Sequence, residues 1–422
     1  MRTAGRRHFL EKASLLAVGA VIGKISFSPA ASRASKRQPI HVTDKYITFV
    51  EQASAHQKKE IPEGFIHTHH PSVPEVPRVQ EVDFPWGKET FTNGSLGAIG
   101  QLGAVNEGIH IDGARILQIV ASTPGTPDSG SGSPQYKNWY RISSDNGRSF
   151  SEFRLIVAEG LTKENPLPGV VIGRNGFTTP FTSPILKSAA GEIIVPVNLH
   201  PWDDQNQRIY NPADAFLFGD SGVLTGKWNH NSTDIIWSFG NWLRIDHNRS
   251  TRGLFEPSLA ELRKTRTFAM VMRGSNYKRP ELPSYAWVSF SSDQCRSWST
   301  PEPFTYSDGI PFFVPASCST LFRSRHTGTL YWVGNLIDKN PDGNHPRNPL
   351  VIGQVDEDHF GLIRSTVVEI DRYRPESEES SVELSNFKIL EHKSLNEIVV
   401  ALTRRIKSKW AKDLSWYRIV LS

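Results

Sequence analysis

One short motif occurs twice in this chain. Residues 143–150 read SSDNGRSF and residues 291–298 read SSDQCRSW, which is Ser-x-Asp-x-Gly-x-Ser-aromatic with Cys295 in the glycine position of the second copy. Ser and Asp side chains bond nearby backbone N–H groups and glycine supplies a positive φ, so the octet predicts a tight turn between strands. The copies start 148 residues apart, close to three units of roughly 50 residues, the length of a four-stranded propeller blade.

The composition also favours an all-β fold. The 422 residues include 11 Trp, 22 Phe, 32 Gly and 28 Pro, which fits many short strands joined by turns. Strand-like segments recur from about residue 82 without alternating helices. The last of them, 416–421, is expected to pair with the first blade and close the ring, because closure hides both sheet edges. We therefore predict a six-bladed β-propeller over 83–422.

The N-terminal region has the features of an export signal. A twin arginine, Arg6-Arg7, precedes the apolar run 13–23 and then small residues at 30, 31 and 34, which predicts a twin-arginine-type signal peptide over 1–34 and a periplasmic or extracellular location. Eleven apolar residues are too few to cross a ~30 Å hydrocarbon core, so no permanent membrane anchor is expected. Residues 35–82, rich in Lys, His, Glu and Pro, predict an irregular linker or arm.

Charge and cysteine content narrow the partners. Residues 1–32 contribute most of the formal net charge of +5, so the mature chain is nearly neutral and nucleic-acid binding is not expected. Cys295 and Cys318 lie in strand-like segments, which predicts buried free thiols rather than a disulfide. A histidine cluster at 67–70 has neither Cys nor paired carboxylates beside it, so we expect a solvated loop there, no metal site and no cofactor.

Three residues outline a possible anion pocket. Glu256 opens the segment EPSLAEL, Arg273 ends the strand that follows, and Arg347 lies in a later polar loop. The guanidinium fork binds a carboxylate through two parallel charge-assisted hydrogen bonds, which suits a carboxylated sugar. Two alternatives stay open at this point: Glu256 and Arg273 could form a structural ion pair, and Arg347 could be an ordinary surface residue.

The order Glu-x4-Glu-Leu, strand ending in Arg, turn octet and second Arg resembles the sialidase (neuraminidase) superfamily, whose Asp-box or BNR repeats match the octets. The match is best over about 250–360. In that family three arginines hold the substrate carboxylate, a Tyr paired with a Glu is the nucleophile and an Asp is the acid/base. The resemblance implies that Glu256 is the partner of the nucleophile, that Arg273 and Arg347 are two of the arginines, and that Asp128 is the acid/base.

Two family motifs are replaced in this chain. Residues 106–110 read NEGIH where the family has Phe-Arg-Ile-Pro with its first arginine, and 384–387 read LSNF where its tyrosine is expected. Tyr306 and Tyr373 are the tyrosines that could reach the site from other loops. The resemblance implies an exported glycoside hydrolase of the exo-α-sialidase type that acts on an acidic sugar or polysaccharide. The alternatives are a polysaccharide lyase on the same fold and a non-catalytic glycan-binding propeller.

Overall fold

The computed structural model describes twelve stretches of the chain, and strands make up most of the ordered elements within them. These stretches are 40–49, 65–67, 79–84, 87–92, 109–112, 115–123, 136–145, 148–179, 183–376, 382–392, 394–406 and 409–421. The predicted signal peptide lies outside them. Among the described residues, no helix has the length and apolar character needed to span a membrane.

Antiparallel sheets follow one another along the chain. Two early strands, β1 (Ile40–Phe49) and β2 (Phe65–His67), belong to the last sheet. The first sheet has the order β3-β4-β6-β7-β8, with β5 beside β6. Its strands are β3 (Val79–Phe84), β4 (Gly87–Thr92), β5 (Ile109–Asp112), β6 (Arg115–Thr123), β7 (Lys137–Ser143) and β8 (Arg154–Leu155).

The second sheet has the order β10-β11-β14-β15, with β9 also pairing with β11, and a two-stranded ribbon, β12–β13, is inserted in it. Its strands and the ribbon are β9 (Phe177–Thr178), β10 (Leu186–Lys187), β11 (Ile193–Leu199), β12 (Trp202–Asp203), β13 (Arg208–Ile209), β14 (Asp220–Trp228) and β15 (Ile235–Phe239). The third sheet is a simple four-stranded meander: β16 (Phe255–Glu261), β17 (Phe268–Arg273), β18 (Ala286–Ser291) and β19 (Glu302–Pro303).

The fourth sheet repeats the meander and adds β24 beside β22. It contains β20 (Thr320–Arg323), β21 (Leu330–Asn335), β22 (Leu350–Asp356), β23 (Gly361–Leu362), a short 3-10 helix (Arg364–Thr366) and β24 (Val368–Asp371). The fifth sheet has the order β1-β28-β27-β26-β2, with β25 beside β27. Its later strands are β25 (Val382–Glu383), β26 (Lys388–His392), β27 (Glu397–Ile406) and β28 (Lys409–Leu421).

The sheets stack side by side, with an apolar cluster between each neighbouring pair. Leu117 and Val195 belong to the cluster that joins the first two sheets, and Ile194 and Met270 to the next. The third and fourth sheets share a cluster that contains Trp332, and a further cluster joins the fourth and fifth. Burial on both faces explains why central strands such as β11 and β17 are nearly continuous apolar runs.

The prediction of an all-β propeller is confirmed by this succession of small antiparallel sheets. Within the described residues, five sheets of four or more strands and one ribbon are defined, and the predicted sixth blade is not among them. The final strand does close a sheet, as expected, but its partner is β1. The predicted irregular arm over 35–82 therefore contains β1, β2 and the start of β3, and β1 completes the edge of the fifth sheet beside β28.

The two repeated octets form the expected turns. In the second copy, Ser291 Oγ donates to Asp293 Oδ1 at 2.8 Å, and the backbone N–H of Ser297 donates to the same oxygen at 2.9 Å. Asp145 is bonded in the same way by Ser143 and Ser149 in the first copy.

Cys295 has φ = 65°, so it occupies the strained position expected at the glycine slot, at a cost on the order of 1 kcal/mol.

The blade length inferred from the octets is wrong. The first octet lies between β7 and β8 and the second between β18 and β19, so only the β14–β15 sheet separates their sheets. The 148 residues therefore span two sheets rather than three. Spread over two sheets, 148 residues average 74 per sheet rather than roughly 50, because irregular connections, such as 156–176 and 240–254, carry the chain from one sheet to the next.

We expect Asp293→Asn to lower the midpoint of thermal unfolding by a few degrees at pH 7, because the turn loses charge-assisted hydrogen bonds. Desolvation alone would raise the pKa of Asp293, but those bonds outweigh it and hold the pKa at about 2 in the folded chain, below its unfolded value. The stabilisation is therefore present above pH ~4 and lost as the pH falls through about 2. Thermal melts from pH 7 to pH 2 test this. The difference from wild type should shrink steadily towards pH 2, where about half of the Asp293 carboxylate is protonated, and the exposed control Asp204→Asn should show no difference.

Candidate functional site

Glu256 stands on a distorted part of β16. The pairing of β16 with β17 shifts between Phe255 and Ser258, and Glu256 has φ = 49°. A left-handed conformation at a non-glycine residue costs on the order of 1–3 kcal/mol and persists only where the surroundings hold it. The irregularity turns the Glu256 side chain out of the alternation that a regular strand would impose.

A buried amide holds this backbone in place. Asn198 on β11 accepts a hydrogen bond at 2.8 Å from the backbone N–H of Glu256. Its Nδ2 group donates to Ser221 Oγ at 3.1 Å and to the Leu254 carbonyl at 3.4 Å. Asn198 is only 3% exposed, so one side chain fixes the second and third sheets against each other directly behind the carboxylate.

The Glu256 carboxylate is only half satisfied. Its Oε1 atom accepts a hydrogen bond from Arg273 Nη1 at 2.8 Å. Its Oε2 atom is buried and has no hydrogen-bond partner among the described residues. A purely structural ion pair would use both oxygens, because an unpaired buried acceptor costs about 1–3 kcal/mol. The free oxygen therefore marks Glu256 as a group with remaining capacity to accept a proton or a hydrogen bond.

Arg347 is buried rather than a surface residue of its loop. It donates from Nη2 to the Ala316 carbonyl at 3.0 Å and from Nη1 to Ser385 Oγ at 3.2 Å, and Glu383 Oε2 lies 3.7 Å from Nη1. Burial and the charge of Arg273 lower the pKa of Arg347, and Glu256 partly opposes this. The structure therefore brings Glu256, Arg273 and Arg347 together.

A third arginine that sequence reasoning missed joins them. Arg252 is 7% exposed, and its guanidinium lies 5.7 Å from the Phe216 ring and 5.5 Å from the Phe255 ring. Nη1 donates to Asn344 Oδ1 at 3.2 Å. Burial, with the nearby charges of Arg273 and Arg347, lowers the pKa of Arg252 to about 9, against the opposing effect of Glu256.

Local backbone constraints place Arg252 there. Gly253 follows with φ = 71°, and a Cβ at that position would lie 2.1 Å from the Gly219 carbonyl oxygen. The loop before β16 therefore packs tightly on the start of β14, and only glycine fits the contact. The segment TRGLFE, with Arg252 four residues before Glu256, is the sequence signal that could have identified it.

The electrostatics of the cluster favour an anion. Three guanidinium groups lie in a largely buried cluster with the carboxylates of Glu256 and Glu383. Like charges repel more strongly where water is excluded. An anionic ligand would relieve this repulsion and supply acceptors for the remaining N–H donors.

His200 lies beside the site, and its imidazole ring is uncharged at neutral pH. Its ring is fully buried and lies 5.5 Å from the Phe255 ring, and Nδ1 lies 3.2 Å from the Phe218 carbonyl. Since a carbonyl only accepts, Nδ1 is the protonated nitrogen. Burial, together with the charges of Arg252 and Arg273, lowers the pKa of His200 to about 4.

The cysteines are free and buried, as predicted. Cys318 lies behind the site, where its sulfur accepts from the Asn386 N–H at 3.2 Å. Burial and the charge of Glu256 raise the pKa of Cys318 to about 12, against the opposing effects of the Asn386 bond and the two nearby arginines. Burial also raises the pKa of Cys295. Neither thiol is therefore a nucleophile at neutral pH.

The remaining predicted residues are not part of this cluster as described. Asp128 lies outside the described residues. Tyr306 packs on Phe312, and the Arg364 guanidinium lies 3.8 Å above its ring, at the outer strands of the third and fourth sheets. Tyr373 packs against the apolar cluster of the last two sheets. Tyr277 stands nearer to the site, beside Gly343 and within electrostatic range of Arg252.

Within the part of the chain that the structure describes, no group of three or more His, Cys, Asp or Glu side chains could hold a metal ion. The His67–His70 cluster lies outside the residues whose side chains are described.

Comparison with known proteins gives matches in solved structures only. No family model matches the chain, and no curated protein matches it. The Hadza microbial sialidase Hz136 is 12% identical with a TM-score of 0.45, and covers 72% of this chain and 49% of its own. Trypanosoma rangeli sialidase in complex with the inhibitor DANA is also 12% identical, with a TM-score of 0.45. That match covers 80% of this chain and 48% of the sialidase. The NanB sialidase from Streptococcus pneumoniae is 14% identical, with a TM-score of 0.41. That match covers 91% of this chain and 56% of NanB. The chain thus spans about half the length of these structures.

His200 predicts a pH dependence of stability. Its folded pKa of about 4 lies below the unfolded value of 6.5, so the unfolded chain binds the proton more tightly. Stability is therefore complete above pH ~6.5 and falls as the pH drops towards 4, by roughly 3 kcal/mol from this residue. Denaturant unfolding at pH 7, 6, 5 and 4 measures the slope. His200→Asn, whose amide can replace the Nδ1 bond, should flatten it, whereas an unchanged slope would contradict the assignment.

Proposed function

We propose that this protein is an exported glycoside hydrolase of the sialidase type, acting on a sugar or polysaccharide that carries a carboxylate. The observation that supports it is the convergence of Arg252, Arg273 and Arg347 on Glu256, whose Oε2 atom is buried without a partner. Arg252 is proposed to take the place of the arginine that the chain lacks at 106–110.

In this proposal the guanidinium groups bind and orient the substrate anion. Arg273 and Arg347 already make bonds that fix their planes, so little side-chain entropy is lost when the carboxylate enters. Phe216 is 75% exposed beside Arg252. Its ring offers an apolar face for the C–H groups of the sugar, next to the point where the anion is held.

Hydrolysis needs one group that donates a proton and one that accepts one. The bond between the anomeric carbon and the leaving oxygen breaks, the leaving oxygen takes a proton from Asp128, and water adds to the anomeric carbon. Glu256 takes the water proton on Oε2, while Arg273 holds Oε1. Asp128 enters as the proposed acid because of its place before the first turn octet.

Export through a twin-arginine-type signal is part of the proposal. It rests on Arg6-Arg7 and the apolar run after them. An exported location would bring the pocket into contact with extracellular or periplasmic glycans, and the proposed substrate is a carboxylated sugar of such a glycan.

Glu256→Gln should abolish turnover, with a loss of at least 100-fold in kcat, because the amide cannot accept the proton. The purified protein is assayed against sialosides and uronic-acid polysaccharides, with product release measured by chromatography. Glu302→Gln, an exposed control, should retain activity. Unsaturated products would identify the lyase alternative. Binding without turnover in the wild type would identify a glycan-binding propeller.

Arg252→Gln should weaken binding of N-acetylneuraminic acid or glucuronic acid about 10- to 100-fold, because one charge-assisted contact contributes roughly 1.5–3 kcal/mol. Calorimetric titration measures the affinity. The exposed residue Arg208 supplies the control, Arg208→Gln, which should bind as wild type. Equal affinity of Arg252→Gln and wild type for the acidic sugars would remove Arg252 from the anion site.

A further inference from the structure

A second cavity, of about 440 Å³, lies at the other end of β16. Glu256 is near the start of this strand, and the cavity reaches Glu261 at its end. At about 3.3 Å per residue the two regions are roughly 15 Å apart. The cavity is formed where the β10–β11, β16–β17 and β20–β21 turns of three successive sheets meet, so it is separate from the arginine pocket.

The wall of this cavity is apolar and its surroundings are cationic. Leucine side chains from the three sheets form much of the lining, with Ile185 and Phe322 beside them. The lining also includes one carboxylate, that of Glu261, and four cationic residues: Lys187, Arg263, Arg266 and Arg323. This composition suits a ligand that has both an apolar body and a negative charge.

Arg323 and Glu261 are fixed parts of the wall. Glu357 binds Arg323 through two bonds, at 2.6 Å from Nη1 and 2.9 Å from Nη2. Glu261 accepts at 2.7 Å from the Ala189 N–H and holds Arg266 only weakly, at 3.4 Å. The Arg266 side chain is 62% exposed, so most of its donors face the opening.

Arg263 has donors to spare. Its guanidinium lies directly over Gly328, where a Cβ would stand 1.9 Å from Nη1. Within the described residues, no carboxylate or carbonyl oxygen accepts a hydrogen bond from this guanidinium. Because Gly328 has no side chain, the Arg263 guanidinium can lie against the wall of the cavity with the N–H groups of Arg263 unused.

We infer that this cavity binds a small organic anion, an aromatic or aliphatic carboxylate, sulfonate or phosphate. Its apolar body enters between the leucines, and Arg263 and Arg266 bind the charged group at the opening. Lys187 adds positive charge on the facing turn. This site is independent of the proposed hydrolase activity, because none of its residues belongs to the arginine pocket.

The probe for the test is 8-anilinonaphthalene-1-sulfonate, an apolar ring system with one sulfonate. Fluorescence and calorimetric titration of the full chain should show one site. The double variant Arg263→Ala/Arg266→Ala should bind it at least tenfold more weakly, since two charge-assisted contacts are removed. N-phenyl-1-naphthylamine, which lacks the sulfonate, should bind wild type and double variant alike.

Two controls make the result decisive. Arg252→Gln, in the other pocket, and the exposed pair Arg208→Ala/Lys339→Ala should leave the sulfonate affinity unchanged. Circular dichroism checks that each variant is folded, and the single variant Arg263→Glu, with an expected larger loss, replaces the double variant if that one does not fold. An affinity that falls with Arg252→Gln, or that survives the change at Arg263, would overturn the proposal.

Discussion

The hydrogen bond from the Glu256 N–H to Asn198 is the contact on which the arrangement of the site depends. It joins the second sheet to the third at the point where β16 departs from regular pairing. This bond helps to hold a non-glycine residue in a left-handed conformation, together with the bond from Arg273 to the Glu256 side chain. The Asn198 amide is buried among Ser221, Leu254 and the backbone of β14. The core therefore holds the strained backbone of Glu256, and with it the carboxylate, in position.

The three buried arginines of the site also repel one another. Bringing Arg252, Arg273 and Arg347 together in a dehydrated space is unfavourable for the folded chain, and the lowered pKa values of Arg252 and Arg347 express that cost. The surrounding sheets sustain it, because each arginine donates to a backbone or side-chain acceptor from another strand or loop. A pocket prepared in this way favours an anion before the anion arrives.

Local sequence patterns predicted the elements that depend on local chemistry. The turn octets and the buried thiols were predicted in this way, whereas the ion pair between Glu256 and Arg273 was one of two interpretations that the sequence left open. Arg252 was missed because its position depends on how the 240–254 connection returns against β14, although its place four residues before Glu256 was a local signal for it. The number of residues per sheet was also misjudged, since irregular connections leave no periodic signal.

The partner of the last strand was equally hidden from local patterns, because β1 and β28 come from opposite ends of the described chain. The fifth sheet uses residues near both ends, with Ile40 opposite Leu421. These two positions are therefore neighbours in space, and a two- or three-residue turn would link them as an ordinary hairpin. A circular permutant opened in an exposed loop elsewhere would keep every strand pair of that sheet while changing the order in which its strands are synthesised. In the natural order the pairing of β1 with β28 must wait until Leu421 has been synthesised, so the fifth sheet is completed by its most distant contact in the sequence.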